Sequence, residues 1–200
     1  MRWAIYQTLA LALLSQALII PSDITADGVY QVVTRDDGSE VHTRMTDVPG
    51  LSNITLTQNS ALDVAAQSSS QEDDKVLNGR SNGQNWCGCG YNMNTGDCDA
   101  AVADLKHQFG SINKVGPYLS FYSIRGGVVA FVCNTYSGSY FYTSGDTLGR
   151  EFAAITNACG RYIAGSRDMG TSAPTIVGYM RYRNGLDFCR DSTSSPSNHC

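Results

Sequence analysis

Residues 1–86 contain no cysteine; all seven, Cys87, Cys89, Cys98, Cys133, Cys159, Cys189 and Cys200, lie beyond them. A basic stripe is also missing. Fourteen Lys and Arg stand against 18 Asp and Glu, for a net charge of −4, so nucleic acid is not expected as a partner. Outside the N-terminus no apolar run is long enough to span a bilayer, so no transmembrane segment is expected. The three histidines, His42, His107 and His199, sit in no H-E-x-x-H arrangement, and G-x-S-x-G and Gly-rich phosphate loops are absent. A catalytic cysteine needs a histidine partner, and disulfide formation accounts for nearly all the cysteines. No catalytic residue is assigned. Cys87-Gly-Cys89 lacks the usual metal-ligand spacing and a second ligand pair, so no metal and no cofactor are expected. The carboxylates Asp97, Asp99, Asp146, Glu151, Asp168 and Asp187 leave a secreted hydrolase with an unrecognised site as an alternative.

The N-terminus carries an address. Arg2 is a short positive region, Thr8 to Ala17 is nearly all apolar, and Ser15-Gln16-Ala17 places small residues before a cut after Ala17. We read residues 1–17 as a signal peptide, with a cut as late as residue 22 as the alternative. Cysteine-rich sequence behind such a segment suits an oxidising compartment. The expected location is outside the cell or in the cell wall.

Residues 23–80 hold ten acids against four bases, whereas 81–200 hold eight against nine. The first stretch, 18–80, reads as an acidic leader that is either retained or removed as a pro-segment. Arg80 is the nearest basic residue to the boundary, and no dibasic site occurs. The leader contains one hairpin signal at 28–44, two β-rich runs around Arg35-Asp-Asp-Gly38. Asn53-Ile-Thr55 is an N-glycosylation acceptor, which makes the protein a candidate glycoprotein.

Residues 81–200 read as one cysteine-rich domain with a polar tail from 190. Cys98, Val102, Leu105 and Phe109 share one helical face, predicting a helix over 95–110 with Thr95 or Asp97 as its cap. Leu148, Phe152, Ile155, Cys159 and Tyr162 predict a second, from 147 to 163, capped by Ser144 or Asp146. Strands are expected at 118–124, 128–134, 140–143, 175–182 and 186–189, joined by turns such as Asn184-Gly185. The resulting fold class is α+β: an antiparallel sheet of about five strands, with two helices packed on one face and stapled by disulfides.

Seven cysteines allow three bridges and one odd thiol. Cys98 and Cys159 lie on helix faces, while Cys133 and Cys189 end strands. Both helix cysteines are expected to staple a helix to the sheet or a neighbouring segment, and Cys133–Cys159 is the pair we name. The odd thiol is expected at Cys87 or Cys200, where it would allow a disulfide-linked dimer. Tyrosines crowd the strands. Tyr140 and Tyr142 point the same way, and with Tyr136 they form a candidate binding face for a wall polysaccharide or a target protein.

Some segments carry a resemblance: Cys87-Gly-Cys-Gly-Tyr91 with Asp97-Cys-Asp-Ala-Ala-Val-Ala-Asp-Leu105, Val128-Val-Ala-Phe-Val-Cys-Asn134, Ala158-Cys-Gly-Arg-Tyr-Ile-Ala-Gly165 and Gly185-Leu-Asp-Phe-Cys189. Over about residues 86–190 the chain resembles small secreted cysteine-rich fungal proteins of the killer-toxin-like effector type. That resemblance implies a non-enzymatic toxin or virulence effector acting on a competitor or host cell, at a membrane protein or the wall. The alternative is a wall-glycan-binding protein that uses the tyrosine face.

Overall fold

The computed structural model describes residues 18–45, 83–171 and 175–200. The predicted signal peptide, Asn53 and Arg80 lie outside the described residues. Helix α1 (Thr95–Phe109) buries Cys98, Ala101, Leu105 and Phe109 along one face. Its cap is Asn94, whose side chain accepts from the Asp97 N–H, rather than Thr95 or Asp97. Helix α2 (Gly145–Cys159) starts on Ser144, as its sequence suggests, and buries Leu148, Phe152, Ile155 and Cys159. It ends short of the expected Ile163. Gly160 takes φ 97° and Tyr162 φ 58°, which turns the chain out of the helix.

Among the described residues, seven strands form one wholly antiparallel sheet: β1 (Gly28–Thr34), β2 (Glu40–Arg44), β3 (Asn85–Asn92), β5 (Leu119–Arg125), β6 (Val128–Asn134), β8 (Ile163–Asp168) and β9 (Thr175–Arg181). Their order is β2-β1-β5-β6-β9-β8-β3. The remaining two, β4 (Asn113–Val115) and β7 (Phe141–Thr143), make a separate ribbon. The expected five-strand sheet is therefore corrected in three places. Tyr140–Thr143 contributes to the ribbon, not the main sheet. Residues 186–189 are not a strand; Asp187 caps the short helix α3 (Phe188–Asp191). Strands β3 and β8 were not anticipated.

The hairpin at 28–44 forms β1 and β2, and β1 pairs with β5 over six residues, from Gly28↔Ile124 to Val33↔Leu119. The cysteine-free N-terminal part is thus continuous with the sheet of the cysteine-rich part.

The sheet lies between two layers. On one side α1 and α2 pack over Phe121, Ala130, Val132, Val177 and Tyr179. On the other, Leu18, Ile20, Leu186 and Phe188 cover Tyr122, Ile124, Val129 and Phe131. Coverage on both faces explains why β5 and β6 are almost wholly buried and read as apolar runs rather than alternating. Gly165 permits a close approach of α2 to the sheet. A β-carbon there would stand 2.8 Å from Ile155 Cγ2 and 2.9 Å from Cys159 Sγ.

Three disulfides bridge these layers: Cys87–Cys159, Cys89–Cys200 and Cys133–Cys189. The expected Cys133–Cys159 pair does not form. Cys159 faces β3 at the end of α2, and Cys133 points to the opposite face, where α3 brings Cys189. The odd thiol is Cys98, not Cys87 or Cys200, and it is buried between the helices rather than available to a second chain. The expected polar tail is tied down. Cys87 N–H donates to the Ser197 carbonyl at 2.7 Å, Ser195 Oγ to the Cys87 carbonyl at 2.6 Å, and Cys200 N–H to the Ala158 carbonyl at 3.0 Å.

Candidate functional site: a tyrosine ribbon

The ribbon presents two unlike faces because side chains alternate along a strand. Its register places Lys114 opposite Tyr142 and Val115 opposite Phe141. Val115, Phe141 and Thr143 turn inward and are buried. Ile112, Lys114, Tyr140 and Tyr142 take the outward positions. Ile112 is 72% exposed and Tyr142 60%. The Tyr140 and Tyr142 rings meet edge to face, with centroids 5.7 Å apart, and Lys114 Nζ sits 3.7 Å from the Tyr140 centroid. Tyr136 is on the preceding loop, exposed, with its ring over Gly138.

Asn134 fixes this arrangement from below. It is fully buried at the end of β6, and its amide nitrogen donates to the carbonyls of Gly116 (2.8 Å) and Ser139 (3.0 Å). Its side-chain oxygen accepts from the Tyr136 N–H at 3.2 Å. One side chain therefore ties the exit of β4 to the loop that carries Tyr136 into β7.

The other crowded tyrosines are structural. Tyr122 and Tyr179 are buried on opposite faces of the sheet, and burial raises both phenols, Tyr179 to about 12. Around these two residues both faces of the sheet are covered, so neither ring is free to bind.

Most of the candidate carboxylates have partners. Asp97 accepts from the Gly127 N–H, Asp99 from the Tyr162 hydroxyl, and Asp168 from the Gly170 N–H. Glu151 pairs with Arg167 at 2.8 Å, and Asp187 caps α3. Asp146 occupies the first turn of α2, where it suits the helix dipole.

Two hollows escaped the sequence reading. A groove of about 730 Å³ runs between the C-terminal tail and β3, β8 and β9, lined by Trp86, Gly88, Tyr91, Met180, Arg181 and Ser195. The residues that build it are far apart in sequence, and its glycines, Gly88 and Gly165, belong to β3 and β8, strands with weak β patterning. A second hollow, about 370 Å³, lies between α1 and α2 and holds Cys98. Burial, helped by the neighbouring Asp99, pushes the Cys98 thiol up to about 11. A thiol that stays protonated is a poor nucleophile. Titration of the non-reduced protein with a chromogenic disulfide reagent at pH 8 should find no reactive thiol in buffer and one in denaturant. A fast-reacting thiol in the native protein would contradict this burial.

Among the described residues, no helix is long and apolar enough to cross a membrane, and no group of three or more His, Cys, Asp and Glu is placed to hold a metal ion. Three disulfides are consistent with an extracellular protein. The chain matches no protein-family model, no curated protein and no solved structure.

Proposed function

We propose that this is a secreted, non-enzymatic, toxin-like or effector protein that binds the exterior of a competitor or host cell through the tyrosine ribbon. The observation that carries the reading is the exposed Tyr140–Tyr142 pair, with Lys114 against it and exposed Ile112 near by in the chain, on a frame held by three disulfides. Tyrosine is enriched where proteins meet their partners, because a rigid ring contributes much contact area for little lost side-chain freedom. The frame limits the entropy lost on binding. The resemblance to killer-toxin-like fungal effectors points the same way.

The test is to add the purified protein to competitor and host cells and to compare it with the Tyr140→Ala/Tyr142→Ala double variant. Tyrosines at the centre of an interface are worth about 2 kcal/mol or more each. Cell binding and growth inhibition should fall at least tenfold, with the melting temperature unchanged. A double variant as potent as the parent would overturn the reading. Retention of the parent on chitin or glucan, abolished in the double variant, would select the glycan-binding alternative over a protein target. Stacking of sugar rings on the same tyrosines would supply that contact.

A further inference from the structure

Leu18 and Ile20 are buried among the side chains that cover the far side of the sheet. Ile19 between them points outward. Its N–H donates to Glu40 Oε2 at 3.2 Å, and across the chain it faces Asp187 in an antiparallel bridge. Ile20 N–H donates to the Leu186 carbonyl at 3.0 Å, and Gly185 N–H to the Ile20 carbonyl at 3.3 Å. Residues 18–20 are thus pinned between the edge strand β2 and the start of α3.

Two carboxyl groups flank this segment. Glu40 is 13% exposed at its side chain and Asp187 1%. Asp187 Oδ2 has no hydrogen-bond partner; Arg190 Nε lies 3.4 Å away as a looser ion pair. The other titratable or charged groups around them are His42, whose Nε2 is 3.3 Å from Glu40, then Tyr122 with Tyr30 and Tyr182, Asp23, and Asp191, which is itself paired with Arg183 at 2.7 Å. With Arg183 engaged by Asp191, the two nearly buried carboxyls outnumber the one remaining permanent cation, Arg190.

We infer that Glu40 and Asp187 form the receiving site for the α-ammonium of a chain cut after Ala17. The inference rests on the proposed export. By covalent geometry the Leu18 nitrogen lies less than about 4 Å from the Ile19 nitrogen that already donates to Glu40. An ammonium created there stands beside Glu40, one residue from the Ile19–Asp187 bridge, and closes N-terminal segment, hairpin and α3 together. A cut at residue 22 would instead discard two buried apolar side chains.

The sign of the pH effect follows. An α-amino group titrates near pH 8 in an unfolded chain, and pairing raises that value in the folded one. While the receiving carboxyls stay ionised, the added stability is therefore complete below about pH 7 and is lost as the pH rises through the raised folded value.

The experiment compares two chains released without scars from a fusion, one starting at Leu18 and one at Leu14, each with and without Glu40→Gln. The Leu18 chain should melt about 3 °C higher at pH 6.5, the shift expected for roughly 1 kcal/mol in a chain of this size. The gap should close by about pH 10 and shrink in the Glu40→Gln pair, which keeps the Ile19 hydrogen bond. Equal melting at every pH overturns the receiving site and leaves export untouched. Mass spectrometry of the secreted protein tests the cut itself. A first residue of Leu18 supports it, and any other first residue overturns the processing claim.

Discussion

A chain that begins at residue 83 is expected not to fold, although it keeps every cysteine. Removing the N-terminal part takes away β1, which pairs with β5 over six residues, and strips Leu18, Ile20, Tyr30 and Val32 from Tyr122 and Ile124. Fully burying one large apolar side chain contributes about 1.5–3 kcal/mol, so four contribute roughly 6–12 kcal/mol. That matches the whole net stability of a typical domain, about 5–15 kcal/mol. The unpaired edge of β5 would also invite aggregation. Calorimetry should show no cooperative transition for the 83–200 chain, and an apolar dye should bind it. Native-like melting of that chain would refute the argument. A cut within 46–82, for instance after Arg80, has a different expected outcome. The two pieces should co-elute under native conditions and separate in detergent without reductant, because no cysteine precedes Cys87. An acidic pro-segment can therefore be nicked here, but residues 18–45 should stay with the fold.

The elements legible in the sequence are those whose own pattern specifies them. Cys98, Leu105 and Phe109 mark α1, Leu148, Phe152 and Ile155 mark α2, and Gly110 marks an end. Strands β5 and β6 are apolar runs joined by Gly126-Gly127. Strand β3 is different. Its sequence, Asn85-Trp-Cys-Gly-Cys-Gly-Tyr-Asn92, has two glycines and no β-branched residue, and only Cys87 is buried. Bridges to Cys159 and Cys200 hold it, and such long-range constraints leave no local period. Strand β8 is equally faint, with Gly165 and Ser166 at its centre, and Tyr162 extends the apolar face of α2 so that the strand start reads as helix. Residues 186–189 resemble a returning strand after Asn184-Gly185, yet Asp187 accepts from the Arg190 N–H and starts α3. The tyrosine site was readable in part. The same-face relation of Tyr140 and Tyr142 is local, whereas Lys114 joins them only through the register of β4 with β7.

Disulfide pairing could not be read from spacing, and its energetic ranking cannot be read from loop length alone. Cys133–Cys189 closes 56 residues and Cys89–Cys200 closes 111. Constraint of the unfolded chain assigns about 4 kcal/mol to the first and slightly more to the second. The folded state reverses this order. Cys89 and Cys200 are both exposed, so losing their bridge loosens surface chain in the folded protein as well as the unfolded one, and much of the entropy difference cancels. Cys133 is fully buried in a central strand, and Cys189 sits in a four-residue helix too short to persist alone. Its neighbour Phe188 packs against Tyr122 and Phe131, with centroids 5.2 and 5.4 Å away. Without the bridge, α3 and the Leu18–Ile20 segment it supports lose their anchor together. Cys133→Ala/Cys189→Ala should therefore lower the melting temperature by about 8–16 °C, taking 2–4 °C per kcal/mol. Cys89→Ser/Cys200→Ser should lower it by less than half as much. Equal losses, or a larger loss from the 111-residue loop, would mean that the unfolded chain sets the ranking and that α3 is held by its own packing.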